Sequence, residues 1–265
     1  MTNHTPMTPP PPLPGEHASR RYDILLCDID GCLISELQKP LDIAALSRVA
    51  EHNRLAHERH DRPALTVCSG RPQPFAEGMC RLLGNLSTPC VAENGVWLYH
   101  PGTNEYLMDP AITEGHLAAV SELAGWSRAT FGPLGTRQQP GKTASVTLYH
   151  PDTKLLSGTI RGEVENECAK RGWPFRISMT WYYINCDLTH VSKGSGVDRL
   201  LAMTKTPKAR LAGIGDTVGD RCIAERTAFF ACPANAQAEV KTLAQYVSHE
   251  EEAHGVLDIL TKVVG

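Results

Sequence analysis

The sequence lacks the features that mark several protein classes. It has no basic surplus: 26 lysines and arginines stand against 29 aspartates and glutamates, a net charge of −3 over 265 residues. A nucleic-acid surface ordinarily needs a basic domain, so nucleic acid is not expected as a partner. No apolar run approaches the ~18 residues of a membrane span; Ile24 to Cys27 is among the longest clean runs. Met1 to Gly15 contains neither a basic stretch nor an apolar core of the secretory kind. Export and membrane insertion are therefore not expected, and the protein is read as cytoplasmic. No Cys-x-x-Cys pair occurs among the nine cysteines, which removes the usual spacing of structural zinc. Their odd number, and their places inside apolar runs such as Leu65-Thr66-Val67-Cys68, point to small buried thiols in a reducing compartment. His52, His57 and His60 fall on one helix and read as part of a solvated face.

What is present is an ordinary core. With 42% apolar residues the chain is long enough to bury one large domain or two small ones without staples. Prolines crowd Pro6 to Pro14, so residues 1–20 are expected to form a disordered tail. Order is expected from Tyr22. Ile24 to Cys27 reads as a strand buried on both faces. Asp42 then caps a helix reaching about His60, Ala64 to Cys68 forms a second strand, a helix starts near Pro74, and Pro89 to Ala92 forms a third strand. Strand, helix, strand, helix, strand is the pattern of a parallel α/β sheet.

The rhythm changes after Asn94-Gly95. A hairpin around Pro101-Gly102-Thr103-Asn104 leads to a helix over Thr113 to Leu123 and a loop from Gly132 to Gly141. A strand, a helix and two strands follow, ending near Cys186. This block reads as an α+β unit inserted in the first. Alternation resumes at Val191 and continues to the last helix. The spacing over Gly135 to Thr143 misses a phosphate-binding Gly-x-x-x-x-Gly-Lys-Thr loop by one position, because Thr136 stands where the first glycine is needed.

In an open α/β sheet, ligands bind beyond the carboxyl ends of the strands. Those ends carry Asp28-Ile29-Asp30-Gly31, Ser69-Gly70-Arg71, Glu93-Asn94-Gly95 and Gly215-Asp216 through Asp220, and Lys193 opens a helix nearby. Crowded carboxylates need a counter-cation, and an all-oxygen set without histidine or cysteine selects a hard ion such as Mg²⁺. A lysine and a hydroxyl beside that cluster suit a phosphoryl group. One carboxylate can act as nucleophile and its neighbour two residues on as general acid and base.

Taken in order, these pieces resemble the haloacid-dehalogenase superfamily of phosphatases. The likeness is to the branch with a large α+β cap, the Cof-like, sucrose-phosphatase-like and phosphomannomutase-like group. The resemblance implies a Rossmann-like parallel core over 21–110 and 188–265, with a cap over 111–187. It implies that Asp28 attacks phosphorus and that Asp30 protonates the leaving alcohol and then activates water. Ser69 and Lys193 would hold phosphate oxygens. Mg²⁺ would be held by Asp28, the Asp30 backbone carbonyl and Asp216, with Asp220 as a further ligand or as a partner that orients the others. Arg71, Asn94 and Asn235 would orient substrate or loop.

Two positions depart from the family pattern. Cys32 stands in place of threonine, with no chemistry assigned to it. Gly219 stands in place of asparagine, which is expected to loosen Asp220. Trp181, Tyr182 and Tyr183 are expected to pack the cap's own core rather than face the substrate. The resulting expectation is a Mg²⁺-dependent phosphomonoester hydrolase acting on a small sugar phosphate or phosphoglycerate-type metabolite. The alternatives are a phosphomutase of the same family and a non-catalytic ligand-binding protein that keeps the fold.

Overall fold

Ile24-Leu25-Leu26-Cys27 is buried at every position. Leu25 and Cys27 join one apolar cluster and Ile24 and Leu26 another, so the strand is covered on both faces. That is why it reads as a continuous apolar run rather than an alternating one. The computed structural model describes residues 20–37, 39–180 and 182–264. Apart from Arg20, the proline-rich tail lies outside the described residues, as does Trp181.

In chain order, β1 (Ile24–Cys27) is followed by α1 (Ile43–Arg59), β2 (Ala64–Val67), α2 (Gln73–Leu82), β3 (Cys90–Ala92), β4 (Trp97–His100) and β5 (Glu105–Met108). A second block contains α3 (Glu114–Phe131), β6 (Arg137–Gln138), β7 (Ser145–Tyr149), α4 (Thr153–Leu155), α5 (Arg161–Arg171), β8 (Phe175–Thr180) and β9 (Tyr183–Leu188). The chain returns through α6 (Lys193–Thr204), β10 (Leu211–Ile214), α7 (Arg221–Ala224), β11 (Phe229–Cys232), α8 (Ala238–Lys241), β12 (Tyr246–Val247) and α9 (Glu252–Val263). Asp42 caps α1 by accepting from the Ala45 amide at 2.9 Å, which satisfies one of the orphan donors at a helix start. His52, read as solvated, is buried and shares a 2.9 Å hydrogen bond with the Pro63 carbonyl. The segment read as the loop 132–141 contains the short β6, paired antiparallel with β7.

The central sheet has the order β12-β11-β10-β1-β2, and all of its pairs are parallel. A bridge between Cys68 and Val91 continues it to β3, after which β4 and β5 turn antiparallel. From β1 the chain moves to β2 on one side, while β10, the other neighbour of β1, arrives from the far end of the sequence. The crevice of such a sheet opens where the strand order diverges, at the carboxyl ends of these neighbours. Asp28 and Asp216 follow those two ends.

The inserted block has its own antiparallel sheet, order β6-β7-β9-β8. Its strands alternate, as a sheet buried on one face must. Val146, Leu148, Ile184, Cys186 and Phe175 turn into an apolar cluster with Leu123 and Phe131 of α3 and Val164 of α5. Thr147, Asn185, Ser178 and Arg176 turn instead toward a cavity shared with the central sheet. The nine cysteines are unpaired and eight of them are buried. Among the described residues, no helix is long and apolar enough to cross a membrane. Leu148 is fully buried, so Leu148→Ala is expected to cost about 2–5 kcal/mol in urea unfolding; an unchanged midpoint would contradict this account of the inserted unit.

Candidate active site

The turn after β1 is built around one glycine. The Asp28 amide extends the ladder to the Ile214 carbonyl at 3.0 Å, and Asp28 Oδ1 accepts from the Ile29 amide at 2.8 Å. The chain then passes through Gly31 at φ +76°, where a Cβ would lie 2.0 Å from Asp216 Oδ2. Only glycine allows both that conformation and that approach. Asn235 ties the turn from the other side: its amide donates to the Gly31 carbonyl at 2.8 Å, and its oxygen accepts from the Glu252 amide at 2.8 Å. Asn235 therefore ties this turn to the start of the last helix while still lining the cavity.

Asp28, Asp216 and Asp220 are all buried, and one carboxylate oxygen from each lies within 4.8 Å of the others. Lys193 sits between two of them, with Nζ 2.8 Å from Asp28 Oδ2 and 2.6 Å from Asp220 Oδ1. Burial pushes Asp28 up to about 7, the Asp220 charge adds to this, and Lys193 pulls back. Burial, then the charges of Asp28 and Asp220, push Asp216 up to about 9. Burial alone would lower Lys193, but the attraction of Asp220 and Asp28 outweighs it and holds the ammonium well above its ordinary range. One lysine thus faces three buried acids. The excess negative charge and the all-oxygen donor set fit a hard divalent cation, with Asp28 and Asp216 having oxygens to offer it.

Asp220 is the most committed of the three. Its Oδ2 accepts from the Asp216 and Thr217 amides, each at 3.1 Å, while its Oδ1 takes Lys193. Its placement does not depend on a side chain at 219, so the loosening expected from Gly219 has no counterpart in the geometry. Cys32 does have a contact: its Sγ lies 3.8 Å from Asp216 Oδ1, within reach of a weak S–H donor bond.

Asp30 lies outside this cluster, against Arg71, whose Nε donates to Oδ2 at 2.7 Å and whose Nη2 donates to Oδ1. Ser69 is buried and its Oγ accepts from the Arg71 amide at 3.2 Å. Asn94, at φ 52°, packs against Gly70 and donates to Asp187 Oδ2 at 3.0 Å. The residues singled out from the sequence therefore line one cavity of about 720 Å³ between the two units, except Asp220, which lies buried behind Lys193.

The structure adds contacts that the strand-end motifs do not reveal. Glu93 is fully buried, and its carboxylate accepts from the Thr143 and Ala144 amides and the Ser145 hydroxyl, all within 2.8–3.0 Å. Burial pushes its pKa up, opposed first by Lys142. Lys142 donates across to the Gly70 carbonyl. Both link the inserted unit to the turns that carry Ser69 and Asn94. For Lys142 the sequence signal was the near-miss at Gly141-Lys142-Thr143, while Glu93 stood in the strand-end run Glu93-Asn94-Gly95. Tyr182 and Tyr183 line the cavity, against the expectation that they pack inside the inserted unit. Tyr183 lies on the β9 face that carries Asn185, opposite the face buried on α3 and α5.

A parallel sheet with acids at the ends of β1 and β10, roofed by an inserted antiparallel sheet, defines a capped α/β fold with an acidic site at the strand ends. The model of the haloacid dehalogenase-like hydrolase family matches residues 138–260. Over those residues the chain is similar to haloacid dehalogenase-like hydrolases. It is 22% identical over 244 residues to a phosphoglycolate phosphatase of Sulfolobus acidocaldarius, covering 91% of this chain and 96% of the other. It is 25% identical over 238 residues to one of Metallosphaera sedula, covering 89% and 96%. The fold is shared with a solved protein of Thermoplasma acidophilum, with a TM-score of 0.69, 19% identity, and 91% and 98% of the two chains covered. It is also shared with a haloacid dehalogenase-like hydrolase of Bacteroides thetaiotaomicron, with a TM-score of 0.67, 16% identity, and 91% and 99% covered.

Glu93→Ala removes the acceptor of two buried amides and a hydroxyl. It is expected to destabilise the chain by about 1–3 kcal/mol in urea unfolding, and to raise amide hydrogen exchange at Thr143 and Ala144. Unaltered exchange there would mean that the contact does not anchor the two units.

Proposed function

We propose that this chain is a Mg²⁺-dependent phosphatase of small phosphorylated metabolites, using Asp28 as nucleophile and Asp30 as general acid and base. The observation that carries this reading is the buried convergence of Asp28, Asp216 and Asp220 at the sheet switch point, with Lys193 paired to two of them. Asp28, Asp216 and the Asp30 backbone carbonyl would hold Mg²⁺, with Asp220 fixing Lys193 and the 216–217 turn. Bound there, Mg²⁺ would neutralise the crowded carboxylates and the charge of the phosphoryl group. The relatives named phosphoglycolate phosphatase support a small phosphorylated acid among the substrates.

In this reading, Lys193, the Ser69 hydroxyl and the amides after Ser69 hold the phosphoryl oxygens, so that the Asp28 carboxylate faces phosphorus in line with the leaving oxygen. An Asp28 O–P bond forms as the ester P–O bond breaks, and protonated Asp30 gives its proton to the departing alkoxide. Asp30 then takes a proton from the water that attacks the aspartyl-phosphate. Inorganic phosphate leaves and Asp28 is restored. Positioning and charge neutralisation are most of what phosphoryl transfer asks of a protein. For Asp30 to carry a proton, one of its oxygens must leave Arg71, and an arriving phosphoryl dianion offers the guanidinium a second partner.

Phosphate release from a panel containing 2-phosphoglycolate, 3-phosphoglycerate, sugar phosphates and nucleoside monophosphates tests the reading. Turnover is expected with Mg²⁺, to fall to background with EDTA, and to be absent in Asp28→Asn. Stoichiometric phosphate release separates hydrolysis from phosphate shuttling within a sugar. Robust turnover by Asp28→Asn would end the proposal. A second readout needs no substrate. Mg²⁺ at 100 times its dissociation constant is expected to stabilise the wild type by about 2.7 kcal/mol. Asp216→Asn is expected to lose that stabilisation, measured by thermal unfolding; an equal shift in both proteins would place the cation elsewhere.

A further inference from the structure

The roof of the cavity is ordered in rows. Strand register sets Arg176 opposite Asp187 and Asp187 opposite Ser145. The next row is Ser178, Asn185 and Thr147, and the third is Thr180, Tyr183 and Tyr149. The first row is the one that meets the core. Ser145 bonds Glu93 at 2.8 Å, Asp187 bonds Asn94 at 3.0 Å, and Arg176 donates to the Val191 carbonyl at 3.0 Å. This row sits where the roof joins the turn that carries Glu93 and Asn94, while the outer rows offer hydroxyl, amide and aromatic groups that carry no charge.

Among the described residues, four cationic side chains line the cavity, and three have an acid within hydrogen-bond distance. Lys193 is paired with Asp28 and Asp220, Arg71 with Asp30, and Arg221 with Glu225. The fourth is Arg176. Its side chain is 43% exposed, and its nearest acid is Asp187 Oδ2 at 3.7 Å, beyond hydrogen-bond distance. The charge of Asp187 is also opposed by Lys142 and Lys193 and by its hydrogen bond from Asn94. Arg176 therefore presents a charge that its surroundings only partly neutralise. A planar guanidinium with spare donors matches a carboxylate, which it can take bidentately.

We propose that Arg176 is the specificity-determining residue for the leaving group, and that it selects phosphate esters of short hydroxy acids by binding their carboxylate. This deepens the phosphatase reading and rests on it for catalysis, but the binding claim is separable. The matched pair of probes is 2-phosphoglycolate and 2-hydroxyethyl phosphate, which differ only in carboxylate against hydroxymethyl. The wild type is expected to favour the acid in kcat/KM. In Arg176→Gln the ratio of the two kcat/KM values falls by about 10- to 100-fold, the range of a hydrogen-bonded charge pair, chiefly through KM for the acid. Arg176→Lys recovers part of the ratio. An unchanged ratio, with both esters losing equally, would overturn the proposal, because a structural role for Arg176 impairs both alike.

If the wild type hydrolyses other panel members but neither ester, the selectivity proposal is overturned; if it hydrolyses no panel member, the phosphatase reading fails first. Calorimetric binding of 2-phosphoglycolate on an Asp28→Asn background then decides the matter independently. Weaker binding on adding Arg176→Gln, with 2-hydroxyethyl phosphate binding altered less, supports the carboxylate contact. Equal binding with and without Arg176 rejects it.

Discussion

Lys193 lies between two buried carboxylates, and the rest of the site is arranged around that contact. Removing a charge from water costs several kcal/mol unless it is matched. The chain nevertheless buries Asp28, Asp216 and Asp220 within a few ångströms of one another. One ammonium satisfies two of them, and backbone amides at 216 and 217 satisfy the remaining oxygen of Asp220. Asp216 is left with burial and two neighbouring charges against it, which accounts for its large upward shift. A cation there would let the crowded carboxylates ionise together. The parallel sheet makes the arrangement possible by ending β1 and β10 side by side.

Access to this charged floor is controlled by a second sheet whose two faces have opposite chemistry. The apolar face buries against α3 and α5 and makes the inserted unit self-supporting. The polar face closes over the acids. Glu93 and Lys142 fasten one edge of that roof to the turns carrying Asn94 and Ser69. The groups that would select a leaving group are thereby set in register with the groups that would hold phosphate. A buried carboxylate accepting two amides and a hydroxyl is a stiff anchor, because releasing it would strand several polar groups at once.

Much of the charged floor was legible from sequence because its residues sit at strand ends, where turn chemistry is local. Asp28, Asp30, Ser69 and Asp216 each follow a short apolar run by one or a few residues, and glycines mark the turns. The roof was harder to read. Tyr182 and Tyr183 lie beside an alternating strand, and alternation alone does not say which face meets the rest of the molecule. Arg176 looked like any surface arginine of a strand. Lys142 attracted notice only through a motif it does not complete. His52 belonged to a polar spacing on α1, yet it is buried by its bond to the Pro63 carbonyl.

By itself, the sequence determined the alternation of strands and helices, the insertion of an α+β unit after the third strand, and the acids at the strand ends. These are properties of hydrophobic period and of turns, which act over a few residues. Tertiary structure alone decided that Asp30 pairs with Arg71 rather than with the other acids, and that Glu93 fastens the roof. It also decided that Arg176 faces the cavity with its charge only partly matched. Those outcomes depend on which distant segments come within hydrogen-bonding distance, and chain connectivity at long range carries no local signature of that.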